Sequence, residues 1–170
     1  VSTPKQLTML IAYDGSDEAR RAMNYAAQLL VPTHVEVLTA WEPLQRTASR
    51  SINMSGLYQA EWVNSSEAED PVYAKARATC QEGMDLARSL GLAPRAHLVE
   101  VEATVWSAIV DAVWKLQPDV IVSGTRATSG WRSLFQPSTS GSILQNAGIP
   151  MLIVPPEADS EDAEDSGDNS

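Results

Sequence analysis

Short apolar runs alternate along this chain with longer stretches whose hydrophobic residues recur every three or four positions. Residues 8–13, TMLIAY, form the first run and end at Asp14-Gly15-Ser16. From Asp17 to Leu30 the spacing is helical, with Ala19, Ala22, Met23, Ala26, Leu29 and Leu30 on one predicted sheet-facing stripe. Ser16 is a predicted N-cap, and Asp17 and Glu18 suit the positive end of the helix dipole. Pro32 stops the helix, and Val35 to Trp41 reads as a second strand, closing a right-handed β-α-β unit.

Residues 42–71 hold Pro43, Gly56 and Pro71 with many Ser and Asn and no sustained period, a long excursion of the kind used as a cover or insertion. A helix from about Val72 to Leu90 follows, with Gly91 just past its end, then a strand from Ala93 to Val101. The spacing of Val105, Ile109, Ala112, Val113 and Leu116 predicts a helix over Thr104 to Gln117, which Pro118 terminates. Asp119 to Ser123 is an unbroken apolar strand, as buried parallel strands are. A Gly, Ser and Thr-rich loop, a helix from about Ser138 to Ala147 and a last strand, Met151 to Val154, complete the pattern. Such alternation predicts an α/β domain with a parallel sheet, helices on both faces, and ligands beyond the carboxyl ends of the strands where strand order reverses.

Composition narrows this picture. The 170 residues are 44% hydrophobic and carry a net charge of −10, enough chain for one core. Residues 157–170 hold seven acids and no base, which leaves 15 acids against 12 bases, a net of −3, in the remainder. One domain over residues 1–156 and a disordered acidic tail over 157–170 are therefore expected. No basic stripe suits nucleic acid, and no apolar run is long enough for a bilayer. One cysteine, Cys80, and an N-terminal stretch without the apolar core of a secretory signal lead us to expect a cytoplasmic protein.

Candidate chemistry is sparse. Neither G-x-x-x-x-G-K-[ST] nor a G-x-G-x-x-G after the first strand is present, and His34 and His97 stand in no zinc or triad spacing. Cys80 is expected as a small buried hydrophobe, and Trp106 and Trp114 as residues packing on the sheet. Trp41 and Trp62 are expected as core or lid anchors near a pocket.

Two segments in order, Leu10-Ile-Ala-Tyr-Asp14-Gly15-Ser16 and Asp119-Val-Ile-Val-Ser-Gly124-Thr-Arg126 through Gly148-Ile-Pro150-Met-Leu-Ile-Val154, resemble the universal stress protein family's opening strand with D-G-S and its closing "ADLIVMGSRG…PCPVLVV". The similarity spans about residues 7 to 156. It implies an open five-stranded parallel sheet in the order 3-2-1-4-5, an adenine nucleotide alpha hydrolase-like fold. It also implies a regulatory rather than catalytic role in stress physiology, and a homodimer paired through Met151 to Val154.

In the nucleotide-binding branch the closing segment carries G-x2-G-x9-G-[ST]. Counted back from Pro150, this chain reads Gly124, Ala127, Pro137 and Ser138; Gly141-Ser142 is a second register that needs four extra loop residues. Ala127 crowds a backbone approach to phosphate, and Pro137 has no N–H to give. Ser138, Thr139 and Ser140 still offer hydroxyls and N–H groups at a helix start. The resemblance implies a pocket made by Ala12, Asp14, Ala40, Gly124, Arg126, Ala127, Gly130, Ser138, Thr139 and Ser140, in the crevice between strands one and four. The ligand the resemblance implies is ATP or another adenine nucleotide, with binding weak or vestigial, and Mg only when nucleotide binds. The alternatives are a slow ATP-hydrolysing or nucleotidyl-transferring enzyme, with Asp14 as its acid, and a structural interaction domain whose pocket is filled.

Overall fold

A computed structural model describes residues 6–46, 70–124 and 146–157. Among them run β1 (Thr8–Ala12), α1 (Asp17–Leu30), β2 (His34–Trp41), α2 (Pro71–Ser89), β3 (Ala93–Glu100), α3 (Val105–Leu116), β4 (Val120–Gly124) and β5 (Met151–Val154). The strands form one all-parallel sheet in the order β3-β2-β1-β4-β5, as expected. Strand order reverses between β1 and β4, so the chain ends gathered around the carboxyl end of β1 are the natural ligand side of the sheet.

The two faces are covered separately. Met9, Ile11 and Tyr13 of β1 and Val35 and Val37 of β2 pack with Ala19, Ala22, Met23 and Ala26 of α1 and with Cys80, Met84 and Ala87 of α2. Leu10, Ala12, Leu38 and Ile121 pack on the other face with Ile109, Ala112 and Val113 of α3. Alternate strand residues thus go to opposite helices, which is why the strands read as continuous apolar runs.

Helix ends follow local chemistry. Ser16 Oγ accepts from the Ala19 N–H at 3.1 Å and starts α1. Thr104 and Ser107 form a reciprocal capping box on α3. α2 opens with Pro71 behind its Asp70 cap and closes with a Schellman pair, Gly91 N–H to Arg88 O at 2.9 Å and Leu92 N–H to Ala87 O at 3.0 Å. Asp70 also accepts from the Leu44 N–H at 2.8 Å, pinning together the two ends of the 42–71 excursion; residues 47–69 lie outside the described residues.

Two expectations about packing need correction. Leu29, assigned to the buried stripe of α1, is 64% exposed, because helical spacing puts it at the edge of the arc that Ala19, Ala22, Met23 and Ala26 bury, while Leu30 falls within that arc and packs on the core. Trp114 does not cover the sheet: it is 65% exposed and its indole N–H donates to the Asn146 carbonyl at 3.2 Å, while Trp106 packs against the α3-side core. No helix of the described residues is long and apolar enough to cross a membrane.

Among the described residues, Glu36, Thr39 and Ser123 are the polar or charged residues buried in this sheet, and Glu36 is the one that carries a charge. Glu36 of β2 is 1% exposed and lies on the α3 face, its carboxylate bonded to the Arg95 guanidinium and, at 2.5 Å, to His97 Nε2 from β3. Glu36 and Arg95 are register partners and His97 is two positions along, so the same three side chains that satisfy the charge also lock β3 onto β2.

Candidate functional site

The carboxyl end of β1 is held on every side. Tyr13 N–H donates to Leu38 O at 2.8 Å, and the Thr39 hydroxyl donates to Tyr13 O at 2.9 Å. The chain then turns: Asp14 Oδ1 accepts from the Ser16 N–H at 2.9 Å and from the Ser16 hydroxyl at 2.5 Å, while Gly15 takes a φ of 76°. That φ is open to glycine at no steric cost, which explains the residue between the two polar ones. Asp14 therefore shapes the turn, and Ser16 passes the same interaction on to α1.

Behind the turn, the buried Tyr13 hydroxyl donates to Glu82 Oε1 of α2 at 2.7 Å, and Arg20 of α1 donates to the same oxygen at 2.8 Å. Burial and the Glu82 carboxylate push the Tyr13 phenol above its ordinary range. The Tyr13 and Arg20 hydrogen bonds hold Glu82 below its own.

In front of the turn lies a cleft of roughly 370 Å³. Asp14 lines it from β1, Thr39, Ala40 and Trp41 from the end of β2, Glu42 from beyond it, and Val72, Lys75, Ala76 and Thr79 from α2. Positions 72, 75, 76 and 79 are one helical stripe, so a single face of α2 forms the opposite wall. Trp41 is fixed edge-to-face on Tyr73, with ring centroids 5.0 Å apart. The wall is thus apolar at Ala40, Val72 and Ala76, with carboxylates at Asp14 and Glu42 and an ammonium at Lys75.

The expected pocket residues divide. Asp14 and Ala40 meet in this cleft, and Trp41 walls it. Ala12 instead belongs to the core on the α3 side, and is buried. Gly124 ends β4 against the first turn of α1, where an added Cβ would stand 2.5 Å from the Glu18 carbonyl oxygen. Arg126, Ala127, Gly130, Ser138, Thr139 and Ser140, together with Pro137 and the rest of 125–145, lie outside the described residues, as do Trp62 and the expected start of the last helix. The described cleft extends from Asp14 toward β2 and α2, on the other side of β1 from β4.

Lys75, Thr79, Thr39 and Glu42 were not foreseen. The helical spacing that predicted α2 carried the signal for the first two, but only contact with β2 identifies which stripe looks into the cleft. Among the described residues, no group of three or more His, Cys, Asp or Glu side chains is placed to hold a metal ion.

The model of the universal stress protein family matches residues 7–155. The chain belongs to the universal stress protein family. It is 30% identical over 155 residues to a universal stress protein encoded beside a sulfhydrylase gene in Thermus aquaticus, covering 86% of this chain and 97% of that protein. Its fold resembles the universal stress protein of Archaeoglobus fulgidus, with a TM-score of 0.59 at 20% identity over 87% of this chain and 93% of the other. It also resembles a universal stress protein family protein from Arabidopsis thaliana solved with AMP bound, with a TM-score of 0.56 at 15% identity over 95% and 100% of the two chains.

Proposed function

We propose that this universal stress protein is a regulatory module that reads an adenine nucleotide, held weakly, at the carboxyl end of β1. The observation that carries the reading is the cleft in which Asp14 and Ala40 meet at the carboxyl ends of β1 and β2, on the β2 side of the strand at which the order reverses. Its chemistry fits the ligand class: Ala40, Val72 and Ala76 offer an apolar wall to a purine, and the Asp14 carboxylate an acceptor for amino or hydroxyl hydrogens. The AMP-bound Arabidopsis relative supports the same class. Weak binding follows from Ala127 and Pro137, since each lost hydrogen bond to a charged group costs about 1.5–3 kcal/mol, or about tenfold to hundredfold in affinity.

The module acts as a homodimer in this reading, paired through β5. That strand is an edge of the sheet, with Ile153 exposed, and an open parallel edge calls for a covering partner. A single buried cysteine suits a reducing, cytoplasmic setting. Titration calorimetry with ATP, AMP and cyclic AMP tests the central claim. The expected result is binding that weakens at least tenfold in Asp14→Ala protein; no heat with any of the three refutes it.

A further inference from the structure

Two rows of exposed apolar groups border the outer edge of β5. One flank of α1 turns toward α2, where Arg20 meets Glu82, and the opposite flank turns outward, where Arg21 meets Glu157 at 3.7 Å just past the end of β5. Positions 21, 25 and 29 share that outer flank by helical spacing. The Arg21 guanidinium lies 4.9 Å over the Tyr25 ring, and Tyr25 and Leu29 are 43% and 64% exposed. The second row is the chain leaving β5, where Pro155 and Pro156 are both exposed.

Contacts fix the heights of these groups along the sheet. Gly124 lies against the Glu18 carbonyl and pairs with Val154, so Glu18 and Val154 stand level. From there α1 descends about 1.5 Å per residue, while β5 rises toward Val154 by about 3.3 Å per residue. Tyr25 is therefore level with Met151, about 10 Å below Val154, and Leu29 is level with Ile149, about 16 Å below. Arg21 stands level with the middle of β5.

Among the described residues β5 is an outermost strand of the sheet. Pairing antiparallel with its own copy over all of Met151–Val154 sets Met151 opposite the partner's Val154 and Ile149 opposite the partner's Pro156. Tyr25 and Leu29 then face the segment from the partner's Val154 to the partner's Pro156, one strand spacing of about 4.8 Å beyond β5. A two-fold makes this contact reciprocal, so one operation brings both rows together. The edge of a four-residue strand, about 13 Å long, falls short of the roughly 800 Å² per partner that a stable dimer buries, and apolar side chains beside it extend that area. Arg21 falls beside the axis, where it meets its own like charge, and Glu157 balances each copy.

We propose that the flank of α1 bearing Tyr25 and Leu29 is a docking surface for Pro155 and Pro156 of a second copy of this chain. An aromatic and aliphatic wall suits prolines, whose fixed φ leaves little to order on binding. The inference rests on pairing through β5 and adds the contact that selects one register, which a short strand edge by itself specifies weakly.

Sedimentation equilibrium of the full chain tests it, with Tyr25→Ala, Leu29→Ala, Pro156→Ala, the Leu29→Ala and Pro156→Ala pair, and Leu44→Ala as a control on an exposed residue beyond β2. All the substituted residues are exposed, and thermal melts confirm that each variant is folded. Expected are dimer dissociation constants raised about tenfold or more by Tyr25→Ala and by Leu29→Ala, no change in Leu44→Ala, and an effect of Pro156→Ala that largely disappears in the Leu29→Ala background. Folded Leu29→Ala protein that associates as wild type does, or effects of Leu29→Ala and Pro156→Ala that simply multiply, overturns the proposal. Ile153→Lys, which puts a charge on the strand edge, separates the two readings. If it abolishes the dimer while the α1 variants leave it intact, pairing through β5 stands and this docking surface falls; wild type that stays monomeric throughout a micromolar to millimolar series overturns both.

Discussion

Substituting Gly124 by alanine tests whether this glycine serves the fold or only a ligand. It ends β4, paired with Val154, and the first turn of α1 lies directly against it. A Cβ built there would be 2.5 Å from the Glu18 carbonyl oxygen, 2.6 Å from its carbon and 2.9 Å from Glu18 Cβ. Contacts below 3.0 Å are essentially never made by a real Cβ, so α1 or β4 must give by at least about half an ångström at the carbonyl. The neighbours are backbone, and behind them Ala19 and Ala22 are buried with no slack, so the strain cannot be relieved by turning a flexible side chain. Overpacking of this sort costs about 1–3 kcal/mol, and a backbone collision belongs at the upper end. At about 2–4 °C per kcal/mol for a chain this size, Gly124→Ala should lower Tm by about 6–12 °C with no nucleotide present. Circular dichroism melts at fixed concentration measure it. A ligand-free Tm within 1 °C of wild type would refute the close-approach argument, and loss of nucleotide binding alongside it would return Gly124 to the ligand.

Other outcomes follow from the buried and titrating groups. Glu36→Leu, which replaces a buried carboxylate with an apolar side chain of similar size, should leave stability unchanged or raise it. Removing Arg95 and His97 together strands the charge and should cost about 3 kcal/mol in urea unfolding; equal losses in both variants would contradict this. Glu82 titrates below its ordinary 4.5 when folded, so its contribution is present above that pH and is lost as pH falls through the lowered value. Tyr13 is raised above its ordinary 10.0, so its contribution is complete below pH 10 and is lost as pH rises beyond it. Stability measured against pH should therefore fall less steeply in acid for Glu82→Gln and less steeply in alkali for Tyr13→Phe, and unchanged slopes would count against the network.

Where local chemistry alone decides a feature, it was readable in the chain. The Ser16 cap, the helical spacing through Ala26, the stop after Leu90 and the four-residue last strand all follow from neighbours within a few positions. Features that depend on how distant segments meet were not legible. Glu36 interrupts an apolar strand with no sign of its partners, because Arg95 and His97 come to it only through the register of β3 on β2. The same holds for the cleft: Asp14 and Ala40 were foreseen from family resemblance, but Lys75 and Thr79 are placed beside them only by the docking of α2. Gly124 shows the reverse case, since the motif assigned it to phosphate while packing gives it a neighbour in Glu18.

Glu82 joins three segments far apart in sequence: the tip of β1 through Tyr13, α1 through Arg20, and α2 through its own backbone. The lip of the cleft is consequently not an independent flap. Asp14 is bonded to the α1 cap two residues later, and the neighbouring Tyr13 shares the Glu82 carboxylate with Arg20, so the turn at the rim of the sheet is braced by both helices rather than by its own few residues.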